Sequence, residues 1–285
     1  MTAQAKALVS AGHALPVMDD GRLARWWPAL HGHIPGATAA ALTPLPPLEA
    51  EAVVDVTGYE APSPARRVIN AHLHLLHLEH DTLSVHAAAL AAPTGDGAVL
   101  LLGGHGAGKT LVATALALAG WAPIAGDVAL VHVDTTTAAV VGGTAAFMVR
   151  SAPTARWFPH VPLPDGESTD LGAWWAARPA RVAAPVLGAV WVRVDGDPQV
   201  GGVQAAPMDA HTARTAWWKA GSHLIDRLAP PGHDPLRLLE LPDLARRRTA
   251  LTTTVAEQFP LTVLCGDPYA IAAAIGHHIR EGSSR

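Results

Sequence analysis

The chain has 285 residues, 49% of them hydrophobic, and a formal net charge of −4. That length and apolar content suffice for a sizeable core, and the lack of basic excess argues against nucleic acid and against an anionic membrane surface as partners. A single cysteine, Cys265, excludes an intrachain disulfide framework and argues against a Cys-based zinc site.

Residues 1–60 carry prolines at Pro16, Pro28, Pro35, Pro44, Pro46 and Pro47, which forbid long helices there and predict a small irregular lobe. The N-terminus lacks a basic start followed by an apolar run, and no stretch approaches about 18 uninterrupted apolar residues, so a cytoplasmic protein without a membrane span is expected. The first helix is predicted over Ala65–Glu79, with Ser63 as N-cap and Pro64 at the first helical position. Thr82–Ala91 reads as a strand, Pro93–Gly97 as a turn and Ala98–Leu102 as a central strand, apolar on both faces. A short glycine-containing turn between two strands predicts antiparallel pairing.

A helix is predicted from Lys109 to Ala119, stopping at Gly120, then a strand over Ala122–Ala125 that ends at Gly126-Asp127. Val128–Val133 and Ala138–Val141 form a further hairpin. Residues 151–180 are predicted as a long loop or lid. Val186–Val194 reads as a strand, Asp209–Leu228 and Leu241–Glu257 as helices, Leu261–Leu264 as a buried strand leading to Cys265, and Pro268–Ile279 as a closing helix. The division expected is an N-terminal lobe at 1–62 and a nucleotide-binding domain at 63–285.

Gly103-Gly104-His105-Gly106-Ala107-Gly108-Lys109-Thr110 matches the phosphate-binding loop pattern G-x-x-x-x-G-K-[ST] in full. Its glycines let backbone amides wrap a phosphate, and the helix that follows offers its positive end. Lys109 is suited to the β- and γ-phosphates of ATP, and Thr110 to Mg²⁺. Asp127, at the end of the next strand, can serve as metal ligand, as general base, or as both. His86 is the one ionisable group in an otherwise small and apolar strand; pairing with Ala98–Leu102 would set it near the loop mouth. Arg150, after Phe147-Met148-Val149, is placed to stabilise a transferring phosphoryl group. His72, His74, His77 and His80 have no acidic or cysteine partner arranged with them and are not read as a metal site. Trp26-Trp27, Trp174-Trp175 and Trp217-Trp218 read as core or lid anchors, and Arg246-Arg247-Arg248 as a solvated helix face.

Three segments taken together, Leu83–Leu90, Val99–Gly103 running into the loop, and Gly120–Asp127, resemble the HPr serine kinase-like proteins, a P-loop group that shares its nucleotide core with phosphoenolpyruvate carboxykinase. The resemblance covers about residues 80–135. It implies a mixed-sheet α/β core in which an antiparallel hairpin precedes the phosphate loop, with Mg-ATP as phosphate donor and a hydroxyl as acceptor. In that group the strand after the loop helix ends in an acidic pair, a base and a metal ligand. Here Gly126 stands beside Asp127, so one carboxylate is missing. No counterpart of the longer substrate-contact segment is present, which points away from HPr itself and toward a peptide, a protein serine or a small metabolite. A non-catalytic nucleotide-binding module is the alternative expectation. Homo-oligomerisation is left open by the sequence.

Overall fold

The computed structural model describes residues 3–45, 53–161, 163, 166–172, 183–195, 202–227 and 234–282. The N-terminal segment holds more regular structure than its prolines suggest. β1 (Gln4–Ser10), β2 (His13–Asp19), β3 (Leu42–Pro44) and β4 (Val54–Asp55) form a sheet in the order β3-β1-β2-β4, and α1 (Arg22–Leu30) follows β2. Asp19 organises the start of α1: its Oδ1 accepts from the Gly21 and Leu23 amides, while Lys6 Nζ lies 2.8 Å from Oδ2. Pro28 lies inside α1 and Pro44 closes β3, so the elements stay short, as proline spacing requires.

α2 (Pro62–Glu79) starts earlier than expected. Ala61 is its N-cap and Pro62 sits in the first turn, where a fixed φ suits the helix and the missing amide costs nothing. Its Ile69 and Leu73 complete the N-terminal core with Leu8, Val17, Leu23 and Trp27.

The segment Thr82–Ala91 is two strands, β5 (Thr82–Val85) and β6 (Ala88–Ala91), rather than one. The chain changes partners between them: β5 pairs with β9 (Ala129–Val133), and β6 with β7 (Ala98–Leu102) and β8 (Ala122–Ala125). At the break the Ala87 amide reaches back to Val85 O, and the His86 amide bonds Ala220 O at 3.0 Å.

β6 and β7 are antiparallel, as the turn between them requires. α3 (Lys109–Leu118) follows the glycine-rich loop, and β10 (Ala138–Gly143) returns against β9. β11 (Met148–Arg150), α4 (Ser151–Trp157) and β12 (Ser168–Asp170) occupy part of the segment expected as a loop or lid. Order there follows from burial of Trp157 and Phe158, and residues 162, 164, 165 and 173–180 lie outside the description, as does Trp174-Trp175. β13 (Ala184–Val194) pairs in parallel with β7 and with β15 (Thr262–Gly266), and β14 (Val203–Pro207) closes an edge. Cys265 lies on β15 and is half-buried.

Among the described residues the result is a nine-stranded mixed sheet with helices on both faces. Side chains along β7 alternate between the two. Leu100 and Leu102 join Trp217 of α5 (Ala210–Ala220) and Leu251 and Val255 of α6 (Pro242–Gln258). Val99 and Leu101 join Val112 and Leu116 of α3 and Ile271 and Ile275 of α7 (Pro268–Gly282). The loop that leaves β7 therefore springs from the middle of the sheet, held on both sides by packed helices. Among the described residues no helix is long and apolar enough to cross a membrane.

Candidate functional site

The chain leaves β7 at Leu102 and re-enters helix at Lys109, and Gly104, Gly106 and Gly108 between them line a cavity of about 600 Å³. Gly108 has φ 91°, and a Cβ there would come within 2.3 Å of Val194 Cγ2, so the loop passes the end of β13 only as glycine. Gly104, His105, Gly106, Ala107, Gly108, Lys109 and Thr110 all line the cavity, and α3 opens its N-terminus there. Lys109 Nζ donates to the Gly103 and Gly104 carbonyls at 2.9 and 3.3 Å. Burial lowers the pKa of this ammonium, and Asp127 pulls it the other way.

Asp127 stands at the end of β8. Thr144 clamps its backbone, accepting at Oγ1 from the Asp127 and Val128 amides at 2.9 and 3.1 Å, while the Gly126 amide donates to Thr144 O at 2.9 Å. The carboxylate sits deep among protein atoms yet keeps half its surface, 52%, toward the open cavity. Its Oδ1 lies 3.2 Å from His86 Nε2, and its Oδ2 lies 3.6 Å from Arg227. Burial pushes this carboxyl upward. The His86 hydrogen bond and the nearby Arg227 guanidinium outweigh it and hold the group far below the usual carboxylate range. Asp127 is therefore ionised.

Gly126 explains why the acid is single. A Cβ at that position would meet the main-chain oxygen of Ala146 at 2.2 Å and Phe147 at 3.0 Å. No side chain fits, acidic or otherwise, without moving the backbone.

His86 reaches Asp127 because the break between β5 and β6 turns it out of the sheet. Its ring stacks on His223, with centroids 3.9 Å apart and planes 14° from parallel. His223 Nε2 accepts from Arg227 at 2.6 Å, which requires a neutral imidazole. Burial, and then the charges of His86 and Arg227, lower the pKa of His223 to about 3. Potential ligand atoms of His86, Asp127 and His223 lie within 4.8 Å of one another. Stacked rings, however, project their lone pairs side by side rather than toward one point, and His223 Nε2 is engaged by Arg227. The trio suits proton handling better than a three-ligand metal site.

Arg150 lies at the end of β11, exposed at the cavity mouth, with its guanidinium 3.0 Å from His105 Nε2. The cavity thus brings together the glycine-rich loop, His86, Asp127 and Arg150. It also gathers His33, Arg66, Arg67, His223 and Arg227, which sequence reasoning did not place. His223 and Arg227 belong to a turn, because α5 ends at Ala220 rather than continuing to residue 228, itself outside the described residues. Gly221 ends the helix, and Ser222 Oγ donates back to Trp218 O.

That turn is fastened from α6 by Arg248. The run Arg246–Arg248 is not one solvated face: Arg246 pairs with Asp243 and Arg247 with Asp81, but Arg248 is buried. Its guanidinium grips Glu240 at 2.7 and 2.9 Å, donates to Ser222 Oγ at 2.7 Å and lies over Trp218. Arg248→Ala would take from the buried Glu240 carboxylate its two hydrogen bonds and leave it Arg237 at 3.6 Å, and should destabilise the fold by about 3 kcal/mol, measured by denaturant unfolding. A loss below about 1 kcal/mol would show that the pair is not the clamp inferred.

No family model matches the chain, and no match is found among curated proteins. Among solved structures the chain is similar to the HPr(Ser) kinase/phosphatase from Coxiella burnetii, with 10% sequence identity and a TM-score of 0.35, over 71% of this chain and 93% of that one.

Proposed function

We propose that the chain is a P-loop phosphotransferase that moves the γ-phosphate of ATP to a hydroxyl of a peptide, a protein serine or a small metabolite. The observation that carries the reading is one cavity shared by a complete phosphate loop at a strand–helix junction and an ionised Asp127 in contact with His86. Lys109 and the loop amides would hold the β- and γ-phosphates. The Thr110 hydroxyl and the Asp127 carboxylate are hard oxygen donors on the cavity wall, a set that fits Mg²⁺. When bound, that ion supplies charge neutralisation to the phosphate oxygens. Asp127 and His86 act as a pair toward the acceptor: the carboxylate fixes the imidazole orientation, and the pair takes the hydroxyl proton as the oxygen attacks phosphorus. Arg150, at the mouth, faces charge on the transferring group.

His86→Ala should lower turnover by about tenfold or more while leaving ATP affinity within a few-fold, and His86→Gln should retain part of the activity if orientation is its role. Equal loss of ATP affinity in His86→Ala would move this residue into nucleotide binding instead.

A second reading, a nucleotide-binding module without chemistry, is favoured by one observation, the steric exclusion of a second acid at Gly126. The deciding experiment incubates the chain with γ-labelled ATP, Mg²⁺ and fractionated peptides and metabolites. Label appearing on an acceptor supports the phosphotransferase. Nucleotide binding without transfer or hydrolysis across the fractions supports the module.

A further inference from the structure

The nucleotide site leaves one wall of the cavity without a role. Arg66 and Arg67 line it from the early turns of α2, Arg227 from the turn after α5, and His33 from the short 3-10 turn His31–His33. Among the described residues the charged side chains lining the cavity are Arg66, Arg67, Lys109, Arg150 and Arg227 against one carboxylate, Asp127. That carboxylate is already shared by His86 and Arg227. Lys109 belongs to the phosphate loop and Arg150 is engaged with His105.

Arg66 is the informative member. It is half-buried and, among the described residues, has neither an ion pair nor a hydrogen bond. Burial and the like charges of Arg227 and Arg67 lower its pKa, against a pull from Asp127. His33 is likewise pushed toward its neutral form by burial and by Arg66. Gathering guanidinium groups in a partly desolvated wall costs free energy unless an anion joins them. Guanidinium forks match carboxylate and phosphate oxygens in pairs. A magnesium-bound triphosphate is served by the loop amides, Lys109, Thr110 and Asp127, so a further anion on the α2 wall is a different group.

We propose that the phosphate acceptor carries its own oxyanion, a carboxylate or a phosphate, held by Arg66 and Arg227 on the α2 wall while its hydroxyl faces Asp127 and His86. The acceptor's part in this rests on the phosphotransferase reading; the oxyanion site itself does not. Binding by that wall would orient the hydroxyl and select acidic acceptors over neutral ones.

The test is calorimetric, on the full chain. Inorganic phosphate and, separately, acetate are titrated into protein saturated with Mg²⁺ and a non-hydrolysable ATP analogue. At least one anion should bind, acetate marking a site open to carboxylates and phosphate alone marking a phosphate site. Arg66→Gln should weaken that binding by about tenfold or more, the worth of a charge-assisted contact. Arg227→Gln, read in the same way, keeps the test decisive if Arg66→Gln does not fold. Anion binding that nucleotide abolishes, or that both arginine variants leave unchanged, overturns the site, as does failure of both anions to bind. If the wild-type chain binds no nucleotide yet retains arginine-dependent anion binding, the phosphotransferase reading falls and the oxyanion site stands.

Discussion

Lys109→Ala should abolish detectable phosphate transfer and weaken ATP binding, with turnover falling by about 10²–10³-fold or more. The ammonium is buried at the root of the phosphate loop, where it donates to the Gly103 and Gly104 carbonyls. It is therefore held on short tethers beside the amides that would receive phosphate. For an ammonium as buried as this one a charge-assisted contact is worth more than in water. Alanine removes the charge and also leaves two loop carbonyls without their donor. Lys109→Met, which keeps most of the stem but neither charge nor donor, separates packing from chemistry: loss of transfer with an unchanged unfolding midpoint assigns the defect to the missing ammonium. Nucleotide titration and labelled-phosphate transfer provide the readout, and unchanged turnover in either variant would remove the phosphate-loop reading.

Asp127→Asn should lower turnover by about 10²-fold or more, in line with the contribution of a general base or an essential metal ligand. ATP binding measured without Mg²⁺ should stay nearly unchanged, because the loop and Lys109 are untouched. Asparagine keeps the shape that Thr144 clamps, so the backbone should not move. It removes the charge that both His86 and Arg227 face. A stability signature accompanies this. The carboxyl is held below its ordinary range in the folded chain, so its contribution is present above the unfolded value and is lost as pH falls through the folded one. The wild type should therefore lose more stability on acidification than Asp127→Asn does. Turnover within a few-fold of the wild type would reduce Asp127 to a turn residue.

The parts of this site that were legible in the sequence are those fixed by local backbone demands. A glycine-rich loop between an apolar strand and a helix needs no tertiary information, and neither does an Asp at the end of the following short strand. The hairpin ahead of the loop followed from its turn residues. The break at His86 was hidden because Ser84 and His86 alternate with Leu83 and Val85 as one continuous strand would, and the run Ala87–Ala89 carries no pattern that a change of partner could interrupt. His223 and Arg227 were read into a helix because their i, i+4 spacing continues the pattern of α5 across Gly221. The long-range contact from Arg248 to Ser222 ties that turn to α6. The arginine run misled for a related reason: three successive arginines point in different directions around a helix, and one of them found Glu240. Arg66 and Arg67 were legible as helix but not as a cavity wall, since that role depends on the turn after α5 folding over α2. His33 lay in a stretch whose prolines obscured its short strands.

The crowding at Gly126 also constrains the history open to this site. A side-chain obstacle can be relieved by a second substitution, so a lost residue can often be regained in two steps. Here the obstacle is a carbonyl oxygen of the main chain, 2.2 Å from where a Cβ would stand, and every residue at position 146 carries the same oxygen. No pair of point mutations at the contact restores an acidic doublet; the connection between β10 and β11 would have to be rebuilt by insertion, deletion or a change of register. One-acid and two-acid versions of this cavity are therefore separated by a backbone rearrangement, not by a choice of side chain.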